Sequence, residues 1–151
     1  MNLQQALQGV QRLCIDTAPL IYLIERHPRY FELMLNIVQA ISQGELRACS
    51  TVLTLTEVLT QPLRVNNSNL VQAYEAILQD SVGFQLVPID TTIARLSAEL
   101  RAKYALKTPD AIQIATATHM NCQAFLTNDL GLKRVQELRI LVLSDLTLRG
   151  T

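Results

Sequence analysis

Tryptophan is absent from this chain, and four Tyr and three Phe are its only aromatic residues. The core must therefore be built from Leu, Ile, Val and Ala. An excess of one charge is missing too: 13 Lys and Arg balance 13 Asp and Glu. That balance argues against a sequence-independent nucleic-acid binder working through a large positive field. It leaves local basic patches open, and these decide binding more than the total does. No segment approaches the ~20 apolar residues of a membrane helix. The N-terminal MNLQQALQGVQR lacks the apolar stretch of a secretory signal, so a cytoplasmic protein is expected. Cys14, Cys49 and Cys122 are an odd number without metal-ligand spacing, each in or beside an apolar run. They are expected to be buried, reduced thiols. No repeat, linker or low-complexity tract divides the 151 residues, so a single domain, 1–151, is expected.

What is present is a regular alternation. Short apolar runs at 11–15, 46–50, 84–89, 123–127 and 139–143 read as strands. Between them lie stretches with helical apolar spacing. One runs from about Pro19 to Arg26, and a second from after His27-Pro28 to about Gln43, with Gly44 as its stop. TVLTLTEVLTQP forms a third, ended or kinked by Pro62. Asn66 to Asn69 form a polar loop that caps a helix beginning near Leu70, and another helix runs from Thr91 or Thr92 to about Lys103. AIQIATATHM is entered through Thr108-Pro109-Asp110, with Thr108 as cap, and a short helix spans about Gly131 to Glu137. Strands alternating with helices, each strand almost wholly apolar, predict an α/β fold with a mainly parallel sheet covered on both faces.

Four acids stand where apolar strand-like runs give way to helix-like ones: Asp16, Glu57, Asp110 and Asp129. In a parallel sheet such junctions gather at one edge, where ligands bind. Each acid has an ordinary explanation. Asp16 precedes Thr17-Ala18-Pro19 and suits a helix N-cap. Thr54 and Glu57 fit a capping box, although a carboxylate within that apolar run is costly to bury without a partner. Asp110 suits a first helical turn, and Asp129 suits the Asn128-Asp129-Leu130-Gly131 turn. Together they suggest more. Two carboxylates ~5 Å apart repel by roughly 3 kcal/mol at an effective dielectric near 20. Four converging acids therefore need protons or a hard cation, and all-oxygen ligation suits Mg2+ or Mn2+.

IDTAPLIYLIE, TLTEVLTQP, LKTPDAIQIATA and FLTNDLGL together resemble a PIN-domain ribonuclease, close to the VapC-like toxins of type II toxin–antitoxin pairs. The resemblance runs from Leu13 to about Val142 in motif order and approximate spacing, and KTPDAIQIATA is its most specific part. It implies a PIN-like three-layer sandwich with a five-stranded sheet, and a divalent-metal-dependent endoribonuclease. By resemblance Asp16, Glu57, Asp110 and Asp129 are the catalytic and metal-binding acids, with Mg2+ or Mn2+ as cofactor. Thr127 matches the family's hydroxyl beside the fourth acid, Thr17 the hydroxyl after the first, and Asn128 supports them. The resemblance further implies an RNA substrate, an antitoxin protein partner and a homodimer. The apolar YFELMLNIVQAI is long enough for a dimer face, though core packing explains it equally.

Lys107, Lys133 and Arg134 flank the acids and are candidates for RNA phosphate contacts. His27 and His119 are expected at the surface, outside the chemistry. A phosphatase of the haloacid dehalogenase type also carries an Asp after its first strand, but wants a second Asp two positions on, where Ala18 stands. The remaining alternative is a catalytically inactive PIN-fold interaction module whose acids serve only as caps.

Overall fold

The structure is a computed structural model and describes residues 1–149. The sequence alternation resolves into five strands: β1 (Arg12–Ile15), β2 (Arg47–Thr51), β3 (Phe84–Val87), β4 (Ala124–Thr127) and β5 (Arg139–Val142). All neighbouring pairs are parallel, in the order β3-β2-β1-β4-β5. Seven helices flank them: α1 (Leu3–Ala6), α2 (Thr17–Ile24), α3 (Phe31–Ser42), α4 (Val52–Arg64), α5 (Ser68–Asp80), α6 (Thr91–Tyr104) and α7 (Thr108–His119). A 3-10 segment, Leu130–Arg134, joins β4 to β5, and a second, Leu143–Asp145, follows β5.

The strands are apolar because both faces are covered. Side chains alternate along a strand, so Leu13, Ile15, Ala124 and Leu126 join the core beneath α2 to α5. Cys14 and Phe125 point the other way, into the core under α6 and α7. The small residues Ala111, Ala115 and Ala117 bring α7 close to that second face. Leu33, Met34, Ile37 and Ile41 of α3 are buried, so core packing accounts for the apolar stripe of that helix. The three cysteines are buried and free, with Cys49 Sγ 3.6 Å from Cys122 Sγ.

Several local expectations change. Pro62 does not end its helix: it is buried in the last turn, and α4 runs on to Arg64 before Asn66 turns the chain at φ 56. Pro62 lacks the N–H that would bond the Val58 carbonyl, yet the helix continues two residues past it. Thr108 is the first residue of α7 rather than its cap. Lys107 occupies the cap position with extended backbone and no side-chain bond. Gly44 follows α3 at φ +78, as a helix stop requires. The helix expected from Gly131 to Glu137 is the shorter 3-10 segment, and α1, capped by Asn2, was not expected.

The order places β1 at the centre. The chain winds outward through β2 and β3, then crosses by α6 and α7 to β4 on the other side of β1. The C-terminal ends of β1 and β4 thus border the switch point where ligands bind in open α/β sheets. Asp16 and Asp129 follow those two ends.

Candidate active site

Asp16 leaves β1 and caps α2. Its backbone N–H continues the ladder to the Leu126 carbonyl at 2.9 Å, and Oδ1 accepts the Thr17 N–H at 2.7 Å. Oδ2 accepts the Thr127 hydroxyl, from the neighbouring strand end, at 2.8 Å. Burial pushes the carboxyl above the ordinary aspartate range, these two bonds pull it back, and the charges of Asp110 and Glu57 push it up again.

Asp129 caps the 3-10 segment: its side chain accepts the Gly131 N–H at 2.8 Å, and its own N–H donates to Thr127 Oγ1 at 3.1 Å. Thr127 is fully buried and so links the first and fourth acids through one hydroxyl.

Asp110 lies in the first turn of α7, where the helix dipole favours its charge. Burial raises its carboxyl, Asp129 raises it further, and Lys107 and Arg134 oppose both. The expected strand-to-helix position is corrected here. Asp110 follows α6 through Ala105 to Lys107, and the packing of α7 on the sheet, not a strand end, delivers it to the site.

Glu57 differs from expectation in two ways. The capping box is not formed, because β2 passes into α4 without a loop and Thr51 is the N-cap. Thr54 falls within the first turn and Glu57 in the second. The side chain is also exposed rather than buried in its apolar run. It turns back to accept the Thr17 hydroxyl on Oε1 at 2.9 Å.

Thr54 is fully buried, its Oγ1 3.0 Å from Thr17 Oγ1. Gln113, one turn beyond Asp110 on α7, donates from Nε2 to Thr17 Oγ1 at 3.2 Å and to Thr54 Oγ1 at 3.1 Å. Sequence reasoning missed Gln113. Its available signal was a polar residue three positions after Asp110, on the same face of an otherwise small, apolar helix.

The four acids therefore belong to one electrostatic unit. Asp16 feels Asp110 and Glu57, and Asp110 feels Asp129. None of the ion pairs among the described residues neutralises them: those join Arg95 to Glu99, Lys103 to Glu137 and Lys133 to Asp145. No three His, Cys, Asp or Glu side chains among the described residues are gathered closely enough to hold a metal ion by themselves.

Residues 13–138 match the family model of the PIN domain. The chain belongs to the PIN-domain family. Solved structures show the same PIN fold at low sequence identity. A chain of VapBC2 from Rickettsia felis, bound to a DNA fragment from their promoter, is 14% identical with a TM-score of 0.72. The match covers 87% of this chain and 98% of that one. A chain of a toxin–antitoxin complex from Klebsiella pneumoniae is 23% identical with a TM-score of 0.66, over 87% of this chain and 97% of that one. DNA-bound VapBC from Salmonella typhimurium gives 19% identity and a TM-score of 0.69, over 87% and 98%. A comparison with curated protein sequences finds no match.

The flanking residues of this PIN domain have structural partners. Asn128 donates to the Tyr22 hydroxyl at 3.3 Å and accepts the Ser144 N–H at 3.1 Å, tying the site's rim together. Arg134 donates to the Tyr104 carbonyl from Nε at 3.3 Å and Nη2 at 3.0 Å, and to the Gly131 carbonyl from Nη1. Lys133 pairs with Asp145. Lys107 is exposed and makes no ion pair among the described residues. His119 is exposed, as expected, but His27 is half-buried, its ring 4.6 Å from Tyr22 and 4.9 Å from Tyr30.

Proposed function

We propose that this PIN domain is a divalent-metal-dependent endoribonuclease, the toxin of a type II toxin–antitoxin pair. The observation carrying the reading is the carboxylate unit at the switch point of the sheet, which no ion pair among the described residues engages, with Asp16 and Asp110 raised by burial and by their acidic neighbours. Burying charges without partners is unfavourable, and a hard cation removes that penalty. The donors are all oxygens, as Mg2+ or Mn2+ prefers. Mg2+ keeps several waters and takes few protein carboxylates.

Asp16, Asp110 and Asp129 would hold the ion. Glu57 would turn Oε2, which has no hydrogen-bond partner among the described residues, to the same ion or its water shell. When bound, the cation supplies charge neutralisation at the phosphate and lowers the pKa of water. The chain's own part is positional. Thr127 and the Thr17 N–H orient the two oxygens of Asp16, Thr17 fixes one oxygen of Glu57, and Lys107 stands ready for a backbone phosphate. Water attacks phosphorus and gives up a proton, the P–O bond opposite breaks, and the leaving oxygen takes up a proton, so that one RNA fragment ends in a phosphate and the other in a hydroxyl. An antitoxin partner, which the toxin–antitoxin complexes of similar fold suggest, a homodimer and a cytoplasmic location complete the proposal. No helix among the described residues is long and apolar enough to cross a membrane.

Mn2+ titration followed by thermal unfolding separates this reading from an inactive module. At 100 times Kd the wild type gains about 2.7 kcal/mol, a Tm rise of about 5–10 °C. Asp110→Asn loses most of it. Equal shifts in both proteins remove the metal site.

A further inference from the structure

Gln113 lies in the buried face of α7 and is 2% exposed. Its amide Nε2 reaches both Thr17 Oγ1 and Thr54 Oγ1. Its Oε1 is the one buried side-chain oxygen or nitrogen among the described residues with no hydrogen-bond partner. An unpaired buried amide oxygen costs about 1–3 kcal/mol, so something fixes the amide in this orientation.

The fixing group is Glu57. An ionised carboxylate only accepts hydrogen bonds. Thr17 has one hydroxyl hydrogen, and Glu57 Oε1 takes it. Thr17 Oγ1 is then an acceptor toward its other neighbours, so the Thr54 hydroxyl must donate to it. Thr54 has then spent its only hydrogen and must accept from Gln113, which therefore presents Nε2 to both hydroxyls. Turning the amide over would satisfy Oε1 with the Thr54 hydrogen, strand Nε2 and leave Thr17 Oγ1 without either of its donors. The protons thus run one way, from Gln113 through Thr54 and Thr17 to Glu57. Such chains strengthen one another by polarisation.

We propose that Gln113 is a positioning residue for Glu57. Through the two buried hydroxyls it sets which way the Thr17 hydrogen points, and so holds an otherwise exposed carboxylate against the site. The role of Glu57 toward a divalent ion rests on the function proposed above. The relay itself rests on the hydrogen bonds alone.

The test is a double-mutant cycle on the full chain, read twice. Mn2+ affinity and thermal stability in EDTA are measured for wild type, Gln113→Met, Glu57→Ala and the double variant. Gln113→Met nearly conserves volume. Thr54→Val, alone and with Glu57→Ala, breaks the same relay and carries the test if Gln113→Met does not fold. In the wild-type background Gln113→Met weakens Mn2+ binding about tenfold or more, as losing an outer-shell partner does. In the Glu57→Ala background it has less than about a twofold effect, and in EDTA the two substitutions are non-additive. Equal losses in both backgrounds, or none, overturn the relay. If Asp110→Asn lowers Mn2+ affinity while Gln113→Met and Thr54→Val do not, the metal site stands and the relay falls. If Mn2+ affinity is the same in wild type and Asp110→Asn, the metal reading falls, and the EDTA cycle alone decides the relay.

Discussion

Thr127 donates its hydroxyl to Asp16 Oδ2 at 2.8 Å while accepting the Asp129 N–H at 3.1 Å. One buried side chain thereby registers the ends of β1 and β4 and holds two of the four acids. Thr127→Val keeps the β-branched shape and removes both bonds. It should cost about 1–3 kcal/mol, or about 2–12 °C in Tm, with Thr127→Ser close to wild type. Thermal unfolding of both variants checks this. Equal stability of Thr127→Val and wild type would show that the hydroxyl holds nothing.

The raised carboxyls of Asp16 and Asp110 set a pH dependence. Burial is the first cause in each; acidic neighbours add to it, and hydrogen bonds at Asp16 or basic neighbours at Asp110 oppose it. The folded chain binds these protons more tightly than the unfolded chain. Their contribution to stability is full below the unfolded aspartate value of about 3.9 and is lost as pH rises through the raised folded values. Without metal, Asp110→Asn should therefore gain on wild type between pH 4 and pH 7. The gain stays under about 1 kcal/mol, since Asp110 is only half-buried and its charge suits the helix dipole. With Mn2+ the order reverses at neutral pH. Unfolding curves in EDTA and in Mn2+ across this range test both signs. A wild type that gains on Asp110→Asn as pH rises in EDTA contradicts the electrostatics.

The basic residues should separate by role. Lys107 is exposed near Asp110, so Lys107→Ala should weaken RNA binding and lower the salt slope by about 0.7 per lost phosphate contact. Arg134 braces the Tyr104 and Gly131 carbonyls. Arg134→Ala should lower stability by about 1 kcal/mol and change the slope less. Binding isotherms at several salt concentrations, with unfolding curves, decide between the roles. An unchanged slope in Lys107→Ala removes that residue from the interface.

The sheet was legible because its strands are short, apolar and spaced by helix-length segments. Asp16 and Asp129 were legible as strand-end acids for the same reason, since they follow their strands by one and two residues. Asp110 was found as an acid but misplaced, because a second helix, α6, intervenes between β3 and α7. Only tertiary packing brings that helix start to the site. Glu57 was read against Thr54 as a local cap, whereas the structure gives Thr54 to Thr17 and Gln113. Such polar pairings between α2, α4 and α7 leave no period in the sequence. The same holds for Arg134, whose carbonyl partner Tyr104 lies 30 residues away.

The most direct measurement is cleavage of a panel of structured and single-stranded RNAs by antitoxin-free protein. Reactions run with Mg2+, with Mn2+ and with chelator, beside folded Asp16→Asn and Asp110→Asn. The account predicts metal-dependent cutting by the wild type, abolished by chelator and reduced by about 100-fold or more in each variant. Undiminished cutting in chelator, or in both variants, would contradict it, as would a wild type that cuts no RNA with either metal.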